Sequence, residues 1–65
     1  MTLYIPYYNA GWHILEAKAE KVRRLGRYIE YYGTIYGEYA FTTEAAASAY
    51  IYKDYYNAMK YQADI

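Results

Sequence analysis

A chain of 65 residues with no cysteine and a single histidine has to hold its fold by packing. At this length folding removes only about 60 % of the extended chain's surface from water. Domains this small ordinarily add disulfides, a structural metal, oligomerisation or unusually close helix packing. The first support is absent here and the second has one imidazole to work with. Association with a second copy or another protein is the leading expectation.

Hydrophobic spacing points to helices. From Gly11 to Tyr32 the residues Trp12, Leu15, Ala19, Val22, Gly26 and Ile29 recur at alternating threes and fours, and Glu16, Glu20, Arg23, Arg27 and Glu30 fall opposite them. Asn9 suits the N-cap of such a helix and Gly33 its C-terminal exit. A second helix is predicted from a Thr43 cap to about Gln62, with Glu44 in the first turn and a seam of Ala45, Ala49, Tyr52, Tyr56, Met59 and Ala63. Folded back on each other, the two would bring Gly26 against Ala49, so that glycine serves a close helix approach. The expected fold is therefore all-α: a two-helix antiparallel hairpin with a short extended N-terminal segment, dimerising through Ile51, Tyr55, Ala58 and Met59. Tyr and Ile satisfy either period, which sustains a second reading, an α+β domain with a β-hairpin at about residues 27–40 and one C-terminal helix. Thr2–Tyr8 is also β-prone, and one arrangement open to the helical hairpin lays it alongside the 34–42 connection as a short two-stranded ribbon, with Pro6 confining it to an edge.

Tyrosine is the residue in surplus, 13 against one Phe and one Trp. A ring with a hydroxyl at its tip suits half-buried positions and contact surfaces better than a dry core. Tyr28, Tyr31, Tyr36, Tyr39, Tyr50 and Tyr61 exceed what one small core absorbs, and they form the predicted partner-binding set, with Arg23, Arg24 and Arg27 orienting the partner. The formal charge is zero, but residues 1–28 hold five cations against two acids and residues 29–65 two against five. A neutral chain does not suit a strongly electrostatic nucleic-acid binder.

The function these features predict is a non-catalytic protein-protein interaction module, a small inhibitor or binder that acts by occlusion or scaffolding, on another protein or as a homodimer. The alternatives are a nucleic-acid-binding dimer that uses the Lys18–Arg27 segment, and a structural subunit of a larger assembly. No nucleophile triad, phosphate loop or paired-acid motif is present. His13 with Glu16 and Glu20 reads as a solvated helix face, so no metal or cofactor is expected. The longest apolar run, Ala45–Tyr52, is far short of a membrane span, and nothing near Met1 has the basic start of a signal peptide, which together suggest a cytoplasmic protein. No residue motif ties the chain to a family.

Overall fold

Three chain reversals replace the expected first helix with strands. Asn9-Ala10-Gly11 joins Tyr8 to Trp12, Gly26-Arg27 joins Leu25 to Tyr28, and Tyr32-Gly33 joins Tyr31 to Thr34, each set of flanking residues being paired across the turn. In the computed structural model, which describes residues 1–65, the elements are β1 (Thr2–Tyr8), β2 (Trp12–Lys18), a 3-10 turn (Ala19–Lys21), β3 (Val22–Leu25), β4 (Tyr28–Tyr31), β5 (Thr34–Ile35), α1 (Glu44–Ile51) and α2 (Tyr55–Met59). The protein is α+β, not an all-α hairpin. Gly26 explains the difference best. Its φ of +65° heads a two-residue loop in which Arg27 keeps a negative φ, the pattern of a turn whose twist matches the flanking strands. It answers a turn, not a helix approaching Ala49.

The antiparallel β1–β2 hairpin is the middle layer, and both of its faces are covered. On one face Leu3, Ile5 and Ala17 pack with Val22 and Ile29 of the antiparallel β3-β4-β5 meander and with Ala40 and Ala63. Tyr4 and Ile14 point to the other face, against a cluster of Phe41, Ala46, Ala47 and Ala58 that belongs to the helices and the segment before them. Phe41 and Ile29 are fully buried. Burial on both faces explains why β1 lacks the alternation of a half-exposed strand from Leu3 to Pro6, whereas β2 keeps it from Leu15 to Lys18, where Glu16 and Lys18 are exposed.

The expected pairing of the N-terminal segment with the connection is present at one point. Tyr4 and Phe41 exchange two backbone hydrogen bonds of 2.8 Å, and Tyr61 and Ala63 pair in turn with Thr42 and Ala40. β1 is thus interior, between β2 and the Phe41 segment. Pro6 is accommodated there because its nitrogen, like that of Tyr4 two residues earlier, faces away from β2. With no N–H at Pro6 to continue it, the ladder with the Phe41 segment ends after Tyr4.

The second predicted helix starts where expected: Thr43 Oγ1 accepts from the N–H of Ala46 at 3.1 Å, with Glu44 in the first turn. It does not reach Gln62. Lys53 adopts a φ of +67°, its N–H donates to the Tyr50 carbonyl, and the Asp54 N–H donates to the Ala49 carbonyl, which closes α1 in a Schellman motif. Asp54 then caps α2, its carboxylate accepting from both the backbone and the side-chain amide of Asn57. The break folds α2 back on α1, so Ala58 is fully buried and Met59 packs against the same cluster within one chain. Of the residues assigned to a dimer seam, Ala58 and Met59 pack within the chain, Ile51 is half-buried, and only Tyr55 is exposed.

Phe41→Ala is expected to cost about 3–5 kcal/mol, a large share of the few kcal/mol a domain of this length has. Gly37→Ala is expected to cost about 1–3 kcal/mol, since its methyl would collide with the Pro6 carbonyl. Tyr52→Ala, at a side chain 80 % exposed, should stay within about 0.5 kcal/mol. Urea midpoints at constant slope rank the three.

Candidate binding site

Where the ladder ends at Pro6, a cleft of about 200 Å³ opens between the layers. Aromatic side chains from both faces of the hairpin line it. Tyr7 and Tyr36 meet edge to face at 4.9 Å on the meander side, joined by Tyr28 at the start of β4. On the helix side Tyr8, Trp12 and Tyr50 follow one another, with Trp12 at 5.6 Å from Tyr8 and 6.2 Å from Tyr50 and interplanar angles of 81° and 82°. Pro6 and Gly37 complete the lining, and Glu38 is its one charged residue. A glycine is required at position 37 because a Cβ there would occupy the Pro6 carbonyl oxygen's place.

Tyr50 is the anchor of the group. Its ring contacts those of Tyr39 and Phe41 on the core side, Trp12 on the hairpin and Tyr55 on α2, at 5.4–6.2 Å. Burial raises its hydroxyl above the ordinary pKa of 10.0, and the nearby Glu38 carboxylate, then Tyr55 and Tyr39, push in the same direction. Trp12 and Tyr8, held edge to face against this framework, remain 47 % and 68 % exposed. Rings fixed by neighbours yet open to water lose little rotamer freedom when a ligand covers them.

The predicted binding residues divide. Tyr28, Tyr36 and Tyr50 line the cleft, and Tyr39 supports Tyr50 from behind. Tyr31 is half-buried, with its hydroxyl accepting from the Lys18 N–H at 3.1 Å, which makes it a brace between β2 and β4. Tyr61 is exposed on the C-terminal edge, away from the cleft. The three arginines do not act together. Arg23 faces Glu30 across the meander at 3.6 Å, and Glu30 also accepts from the Gly33 N–H. Arg24, on the opposite face of β3, donates to the carbonyls of Arg27 and Glu38. Arg27 sits in the turn.

His13 and Glu16 fall on opposite faces of β2 and Glu20 lies in the 3-10 turn, so the helix face that would have grouped them does not exist. His13 instead stacks on Tyr7 at 5.3 Å and donates to the Asn9 carbonyl. No group of three His, Cys, Asp or Glu residues is placed to hold a metal ion. No helix is long and apolar enough to cross a membrane.

The sequence reading missed Tyr7, Tyr8, Trp12 and Glu38. The signal for the first three was available: a Tyr-Tyr pair and a Trp flanking Asn-Ala-Gly form a hairpin tip rich in aromatics. Glu38 had no signal, because its place depends on where the ladder with β1 stops. No family model matches the chain, and neither does any curated protein or solved structure with which it was compared.

Titration of ring-labelled tyrosine by carbon NMR should place the Tyr50 midpoint above 10.0, and Glu38→Gln should bring it part of the way back, because burial remains. Since the folded value is the raised one, the contribution to stability is complete below about pH 10 and is lost as pH rises through the folded midpoint. The fall in urea midpoint from neutral pH to about pH 11 should be smaller in Tyr50→Phe.

Proposed function

We propose that this protein is a non-catalytic binding module that docks a partner protein into the aromatic cleft beside Pro6. One observation carries the reading: Trp12 is held at right angles on the Tyr50 anchor and Tyr8 at right angles on Trp12, and both still expose about half or more of their surface. Exposed Tyr and Trp held in position by their neighbours are the side chains that dominate binding energy at protein interfaces. The cleft is smaller than the roughly 300–1,000 Å³ of pockets for drug-sized molecules, a scale that suits one inserted side chain with the rest of the partner resting on the rim. The action is occlusion or scaffolding, and no bond is made or broken.

The nucleic-acid reading lacks such support, because Arg23 and Arg24 point to opposite faces of β3 and Arg23 is paired with Glu30. A random peptide library displayed against the purified protein tests the proposal. Ligands selected on the wild type are expected to lose about tenfold or more in affinity on Trp12→Ala and Tyr8→Ala, and to be unaffected by Tyr52→Ala. Selection of no ligand that depends on Trp12, together with single-stranded RNA binding that weakens steeply with salt, would replace the proposal with the nucleic-acid reading.

A further inference from the structure

The cleft combines three features that select for charge as well as shape. Its lining is largely aromatic. Tyr8, Trp12 and Tyr50 succeed one another at interplanar angles of 81° and 82°, and the faces of such rings are the negative ends of their quadrupoles. The single charge in the lining is the Glu38 carboxylate, which has no cationic partner in the fold: the only salt bridge is Arg23 with Glu30, and Arg24 reaches the Glu38 backbone carbonyl rather than its side chain. The carboxylate is also close enough to Tyr50 to disfavour ionisation of its hydroxyl.

A proline ring or a sugar would use the aromatic faces but leave the carboxylate idle. A free ammonium brings three donors and a guanidinium five, each needing an acceptor once desolvated. An N-methylated ammonium has no such need when fully substituted, and its spread charge is attracted by ring faces and carboxylate alike.

Building on the docking reading above, we propose that the cleft is a cation-recognising cage for a quaternary alkylammonium head, such as that of a trimethylated lysine side chain on the partner, with Tyr8, Trp12 and Tyr50 as its walls and Glu38 as its counter-charge. Trp12 is the chain's one tryptophan, so its fluorescence reports occupancy of the cage directly.

The test titrates the intact protein with choline, with its neutral isostere 3,3-dimethyl-1-butanol and with ethanolamine, following Trp12 emission at fixed ionic strength. Choline is expected to bind about fivefold to thirtyfold more tightly than the neutral alcohol, and more tightly than ethanolamine. Glu38→Gln, a change at an exposed loop position, should shrink that preference, and Tyr8→Ala should weaken choline binding while leaving the circular dichroism spectrum unchanged. Equal binding of choline and the alcohol overturns the cage and leaves the docking reading standing. Tighter binding of ethanolamine overturns the methylated ligand class. If none of the three perturbs Trp12 while a display-selected peptide does, the cage falls alone; if no peptide does so either, both readings fall.

Discussion

β1 carries the fold because it is satisfied in four directions at once. β2 takes one of its backbone edges, and the Phe41 segment takes the other through a reciprocal pair of hydrogen bonds at Tyr4. The meander covers the Leu3 and Ile5 face, and the helices cover the Tyr4 face. A 65-residue chain has little surface to spare, and a strand covered on both faces yields more burial per residue than one lying at the surface. Every other element can be described by which side of β1 it occupies.

The same arrangement makes the cleft. Proline satisfies the β2 side of the strand, where no donor is needed at that position, and cannot donate on the other. The covering segment therefore makes no further backbone hydrogen bond to β1 beyond Tyr4, and the cleft there is lined by the aromatic residues at the hairpin tip, the end of the meander and the last turn of α1. Gly37 lets the departing backbone pass close to the Pro6 carbonyl. Stability and exposure meet in Tyr50, whose ring closes the helix-side core and presents its outer side to Trp12. Tyrosine suits that double role because one part of it is content in an apolar contact and another in water.

The helical reading failed for a specific reason. Val22 and Ile29 face the same core as Leu15, but a 3-10 turn and the Gly26-Arg27 reversal intervene, and each resets the alternation of the strand. The result imitates the three-and-four spacing of a helix. The hairpin at residues 28–35 lies within the range the α+β alternative gave it, and that alternative had the right class, though with one helix where there are two. Thr43 as a cap was legible, as was the β character of Thr2–Tyr8. The break at Lys53 was not, since lysine is an uncommon residue in the left-handed region and only the following Asp54 hints at a new start.

By itself the sequence determined the local events: where the chain can turn, which residue caps α1, that tyrosine rather than phenylalanine would roof a small core, and that more aromatic surface exists than the core can use. These follow from covalent geometry and side-chain chemistry, which neighbours distant in the chain do not alter. Tertiary structure decided which aromatics converge. Tyr8, Trp12, Tyr28, Tyr36 and Tyr50 come from five separate elements or their flanks, and their meeting depends on the pairing of Tyr4 with Phe41 and on its ending at Pro6. Pairing between residues so far apart is chosen by the burial of whole faces, a property of the assembled layers that no window of the sequence contains.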